Sequence, residues 1–115
     1  MARAPIPPQD LFVVRTLSVI DSIDKVRVEV GVPKYVSDSE AVCPYSFTYQ
    51  DRVFAHDTHG LDAFQALQLA MKSLPGELRH NKHLPIGRMY WLEPGDDMGF
   101  SEKDGWQWPD EGEAQ

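Results

Sequence analysis

The sequence predicts an α+β domain of two layers, an antiparallel sheet of about five strands in the order ββββαβ with one long helix packed on one face. Three observations carry this. Residues 11–32 and 43–58 each hold two strand-like runs joined by a polar break, and residues 61–78 repeat apolar side chains at helical spacing. A chain of 115 residues, 42% apolar and 25% charged, has the balance of one globular domain with a single core.

Pro5, Pro7 and Pro8 fix extended backbone and remove N–H donors, so residues 1–10 are expected to form a loose arm ahead of a domain spanning 11–93. From Leu11 to Ile20, β-branched and aromatic residues dominate. After "DSID", Val26, Val28, Val30 and Val32 alternate with Lys25, Arg27, Glu29 and Gly31, the pattern of a half-buried strand. Closing a hairpin around Ser22 and Ile23 sets Val19 opposite Val26, Leu17 opposite Val28, Ser18 opposite Arg27 and Thr16 opposite Glu29. That register gives both strands one apolar and one polar face, and a slip of one residue would destroy the sorting.

Residues 33–42, "PKYVSDSEAV", begin with proline and are mostly polar, which predicts a connection. A second hairpin, "CPYSFTYQDRVFAHDT", turns at Gln50 and Asp51, with Tyr49 facing Arg52, Phe47 facing Phe54, Tyr45 facing His56 and Cys43 near Thr58. Its aromatic face is the expected core face, because Phe47 and Phe54 add a cross-strand contact to burial. A helix follows, with Asp57 or Thr58 as its expected N-cap and Asp62 in its first turn. Leu61, Phe64, Leu67, Met71, Leu74 and Leu78 form the expected sheet-facing stripe, and Ala63, Ala66 and Ala70 allow close approach. Pro75 and Gly76 predict a stop or kink near Leu74, with at most another turn or two through His80. "IGRMYWLE" reads as a fifth strand closed by Pro94 and Gly95, and residues 94–115 as an acidic, tryptophan-containing tail.

"CPYSF" at 43–47 and "GLDAFQALQLAMKSL" at 60–74 together resemble a family of small bacterial proteins of unassigned function. In that family a Cys-Pro strand motif precedes a helix that begins with a glycine, an aspartate and Gln-Ala-Leu. The residues that carry the resemblance are Cys43, Pro44, Gly60, Asp62, Gln65, Ala66, Leu67, Leu69 and Ala70, with "YWLE" at 90–93. The resemblance implies a bacterial source and a small single domain. It brings no activity, cofactor or catalytic residue.

Charge narrows the function classes. Residues 1–92 carry ten acidic and ten basic side chains, whereas residues 93–115 carry eight acidic ones against Lys103 alone. The body therefore lacks the basic footprint that nucleic-acid binding needs, and the tail suits solubility or a basic patch. Cys43 is the sole cysteine, no signal-peptide pattern opens the chain, and no apolar run approaches the roughly 20 residues that span a bilayer. These features predict a soluble cytoplasmic protein with no membrane contact.

The histidines fall in two pairs, "HDTH" at 56–59 and "HNKH" at 80–83, and such a spacing can present two imidazoles to one metal. A helix of about 20 residues separates the pairs by about 30 Å if it is straight, which keeps four ligands apart. Cys43 beside His56 has the composition of a nucleophile and its base, but aromatic neighbours suit an inert thiol. Asp57 and Asp62 are explained by helix capping, and Gly60 stands outside any phosphate-loop pattern. Trp91, Trp106 and Trp108, with Asp110 and Glu111, make a candidate partner surface, and the tail has Lys72, Arg79, Lys82 and Arg88 as an alternative docking patch in its own chain. The leading expectation is a non-enzymatic protein-binding or accessory domain, toxin neutralisation being one such role, that takes no cofactor and exists as a monomer or weak dimer. The alternative is a small metal-dependent or small-molecule enzyme built on His56 and His59.

Overall fold

A computed structural model describes residues 6–96 and 98–100. A 3-10 turn over Pro8–Asp10 leads into β1 (Leu11–Val19) and β2 (Lys25–Gly31). β3 (Lys34–Ser37), β4 (Glu40–Tyr49), β5 (Arg52–Gly60), helix α1 (Ala63–His80) and the short β6 (Met89–Tyr90) follow. The fold is α+β as expected, and among the described residues it is one antiparallel sheet of six strands with one α-helix. Among the described residues, no helix is long and apolar enough to cross a membrane.

The extra strand lies in the predicted connection. β2 pairs with the second half of β4 (Val30 with Tyr45), and β3 pairs with its first half (Lys34 with Val42). Between those pairs the register moves by one residue, so β2 and β3 are one long strand broken at Val32 and Pro33. Proline has no N–H to give the ladder and belongs at such a break. β4 thus faces β2 and β3 on one side and β5 on the other, while β1 lies beyond β2 and β6 beyond β1.

The second hairpin keeps its predicted register, with Phe47 opposite Phe54 and Tyr45 opposite His56. The first does not. Leu17 pairs with Val26 rather than Val28, and Ser18 with Lys25 rather than Arg27, a displacement of two residues. Turn chemistry accounts for it: Asp21 takes the left-handed conformation, with φ 59°, and Ser22 Oγ accepts the Asp24 N–H. Aspartate tolerates that backbone better than serine or isoleucine, so the tip sits at Asp21 and Ser22 and leaves Ile23 95% exposed. An even displacement preserves the faces, and Leu17, Val19, Val26, Val28 and Val30 are all buried.

α1 crosses β4 and β5 on the aromatic face. Its N-cap is Asp62, not Asp57 or Thr58, which belong to β5. The Asp62 carboxylate accepts the Gln65 N–H at 2.8 Å, and Gln65 Oε1 accepts the Leu61 N–H at 2.7 Å, so each side chain satisfies an exposed backbone donor. Ala66, Ala70, Leu74 and Leu78 are buried at the interface, whereas Leu61 and Phe64 are 73% and 71% exposed. The predicted stripe was therefore centred too far round the helix. The small alanines, rather than the larger Phe64, face the sheet because they let the helix approach it closely. The helix also runs through Pro75 to His80 without ending at Leu74.

The far end of the core face is closed by the segment after β6. The Arg15 guanidinium lies 3.7 Å from the Trp91 ring centroid and 5.1 Å from that of Phe100, and donates to the carbonyls of Met98 and Gly99. Burial lowers the Arg15 pKa from its ordinary value, with Asp96 acting in the opposite sense. Asp96 itself buckles the segment, accepting the backbone N–H groups of Trp91, Leu92, Glu93 and Met98 at 2.9–3.1 Å. Desolvation pushes its carboxyl up, but these four donors outweigh it and bring the pKa down to about 2. A depressed carboxylate contributes stability that is complete above its ordinary value of 3.8 and lost as pH falls through about 2. Amide signals of Trp91, Leu92, Glu93 and Met98 are therefore expected to hold their positions down to pH 3 and to move together near pH 2. A common midpoint near 4 would show that the buckle does not form.

Candidate functional site

β5 and α1 are joined by only two residues, Leu61 and Asp62, so the helix must fold straight back over the strand that precedes it. The start of β5 then lies beside the end of α1. This brings together residues that helix length alone would separate. Arg52 Nη1 is 2.9 Å from His83 Nδ1, and the Phe54 and His83 rings stack at 5.7 Å. His56 stacks on Tyr45 at 5.3 Å and sits 3.7 Å from the Glu77 carboxylate. Three of the four histidines, His56, His80 and His83, line one groove of about 650 Å³ between β5 and the outer flank of α1, together with Phe54, Lys72 and Gly76. The sequence reading kept the two histidine pairs apart because it placed them at the two ends of a helix. The signal it overlooked was the shortness of the strand-to-helix connection.

His59 stands elsewhere. Residues three apart on a strand project to opposite faces, so His59 points away from the helix and bonds Glu40 at 2.7 Å while His56 faces Glu77. The structure does not bring His56 and His59 together. Among the described residues, no group of three or more His, Cys, Asp or Glu side chains is placed to hold a metal ion. Cys43 is fully buried, and its thiol donates toward the Gly31 carbonyl. Burial, with the Asp57 charge added, pushes its pKa up to about 11, which leaves almost no thiolate near neutrality. Burial and the neighbouring Glu77 raise Tyr45 to about 12, and its hydroxyl donates to Glu77 at 3.5 Å. Trp91 is engaged by Arg15, as described above. Trp106, Trp108, Asp110 and Glu111 lie outside the described residues.

Gly76 is one of the residues that line the groove. Gly76 lies in the middle of a helix turn where glycine costs about 1 kcal/mol relative to alanine. A Cβ built there would meet nothing within 4 Å, so packing does not require the glycine. The helix flank therefore has open space at this position.

β5 itself supplies the second half of the site. It is nine residues long and pairs with β4 throughout, and no strand among the described residues lies on its other side. Tyr49 and Arg52 flank the two-residue turn and form a hydrogen-bonded pair, so Phe54, His56 and Thr58 also direct their backbone groups toward β4. Val53, Ala55, Asp57 and His59 direct theirs outward. An outward row of N–H and C=O groups of this length is a template for another strand.

A family model described as Domain of unknown function (DUF6968) matches residues 13–102, consistent with the family of unassigned function expected from the sequence. No curated protein and no solved structure matches the chain significantly.

Proposed function

The chain belongs to the DUF6968 family of unknown function, and since that membership brings no activity with it we propose, from the chain's own geometry, a non-enzymatic protein-binding domain. It binds by accepting an extended segment of another polypeptide as a further strand beside β5. The observation that carries this reading is the nine-residue β5 edge, which has no strand on its outer side among the described residues and is bordered at Phe54 and His56 by the groove. Main-chain hydrogen bonds supply affinity in such additions, and alternate side chains enter the neighbouring groove to supply selectivity. An accessory role, toxin neutralisation among them, would use the same edge.

The test is a replacement that removes one outward donor without touching the sheet. Ala55 faces Ser46 across β4 as a non-hydrogen-bonded pair, so its N–H is absent from the internal ladder. Ala55→Pro is therefore expected to cost no more than about 1 kcal/mol of stability, as proline does on sheet edges. Nine-residue segments selected from a random display library on the full chain are expected to bind the variant at least about tenfold more weakly, one central hydrogen bond being lost and the ring obstructing its neighbour. Selected segments that bind the variant and the parent equally would sink strand addition at β5.

A further inference from the structure

We infer that the segment captured at β5 carries one large apolar side chain, phenylalanine or leucine, directly opposite Ala55, and that this side chain seats in an apolar cleft on the face of the sheet away from the helix. This rests on the strand-addition reading and names the residue by which the edge selects its partner. Ala55 directs its N–H and C=O outward, so an antiparallel segment places one residue opposite it and bonded to it. An added strand shares the pleat of its neighbour. That residue therefore projects on the same face as Ala55, opposite to the face of Phe54 and His56.

A cleft of about 350 Å³ borders Ala55. Its apolar walls are Ala55 on β5, Val42 and Pro44 on β4, Val32 at the break between β2 and β3, and Ile6 and Pro7 ahead of β1. Asp10 and Lys34, at the end away from β5, bond each other at 2.7 Å. Local sequence builds this floor. Tyr45 pairs with Val30 and Val42 with Lys34, so Pro44 stands where the ladder shifts register and a missing N–H costs least. The Pro44 ring lies against Gly31, where an added Cβ would come within 2.6 Å of Pro44 Cγ. The cleft meets β5 at Ala55 and Asp57, and it selects at one position rather than along the strand. Asp57 is exposed and charged, which leaves Ala55 as the apolar border on that side. Ala55 is also smaller than Val53, Asp57 and His59, so a side chain opposite it leans across with least obstruction. Two strand spacings, about 10 Å, separate the added backbone from β4, a reach that favours phenylalanine over leucine and both over alanine. A second copy of this chain fits poorly, because the outward row of its own β5 offers no apolar side chain larger than Val53.

The experiment uses threonine-rich nine-residue peptides matching β5 in length, with the central residue set to Phe, Leu, Ala, Glu or Lys, titrated onto the full chain by fluorescence anisotropy. The Phe peptide is expected to bind about tenfold more tightly than the Ala peptide, with Leu between them and Glu and Lys no tighter than Ala. Val42→Trp fills the cleft from β4, and Val32→Asp puts a charge into it from outside the strands. Each is expected to bring the Phe peptide down to the level of the Ala peptide. Equal binding of Phe and Ala peptides, both lost in Ala55→Pro, would overturn the anchor and leave strand addition standing. A Phe advantage that survives both cleft variants would overturn it as well. Tighter binding of Lys than of Phe would make charge the criterion and overturn an apolar anchor. N-acetylphenylalanine amide binding as tightly as the Phe peptide would assign the cleft to a small molecule and overturn the inference. Binding of every peptide without regard to Ala55→Pro would overturn strand addition itself, and the anchor with it. Dimerisation of the full chain that Ala55→Pro abolishes would assign the edge to a second copy and overturn the inference.

Discussion

Phe47→Ala is expected to lower the free energy of unfolding by about 3–5 kcal/mol, a large share of the roughly 5–15 kcal/mol that holds a domain folded. Phe47 is fully buried in the second half of β4, between Val28 on β2 and Phe54 on β5. Its ring lies 5.9 Å from Tyr45 and 6.1 Å from His56, so its removal opens a cavity against three elements at once. The sheet is held by its ladder on both sides of β4 and cannot collapse to fill that space. Urea unfolding should show a lower midpoint with the slope unchanged. A loss below about 1 kcal/mol would mean that Phe47 is not at the centre of the core.

Gly60→Ala ranks next, with an expected loss of about 2–3 kcal/mol from forced overpacking. Gly60 ends β5 where the strand passes under the first turn of α1. A Cβ there would lie 2.5 Å from the Ala66 nitrogen and 3.0 Å from both the Ala66 Cα and the Gln65 carbonyl carbon. These are backbone atoms, so no smaller neighbouring side chain relieves the clash. The helix must lift or the strand must end early, and either loosens the Thr58 hydroxyl, which donates to the Ala66 carbonyl at 2.8 Å. Thermal unfolding of Gly60→Ala alone and with Ala66→Gly checks the cause: the second change is expected to give no rescue. Recovery of stability in the double variant would place the clash in a side chain.

The faces of the sheet were legible in the sequence because alternation encodes them directly. Val26, Val28 and Val30 could lie only on one side, and the second hairpin, tied by a two-residue turn, left its register no freedom. The first hairpin misled because its longer loop allows more than one even register, and the choice fell to the conformational preference of Asp21. The helix stripe misled for a different reason. Periodicity weighs Phe64 above Ala66 and Ala70, whereas close packing on a sheet favours the smaller residues. The Asp62 cap competed with Asp57 and Thr58, and what decided it was that β5 continues to Gly60. The groove was the least legible feature. Its residues come from both sides of the strand-to-helix joint, and only the antiparallel return of α1 along β5 brings His56 to His80 and His83.

Strand addition at β5 makes one demand that can be met or refused residue by residue. In the free full chain, the outward amides of Val53, Ala55 and His59 are expected to exchange with solvent deuterium far faster than those of Phe54, His56 and Thr58, which face β4. On addition of a nine-residue segment selected from the display library, protection is expected to appear on the three outward amides and to change little on the others. Amides of Val53, Ala55 and His59 that are already protected in the free chain, or that stay unprotected with the peptide bound, would contradict an open edge that takes up a strand.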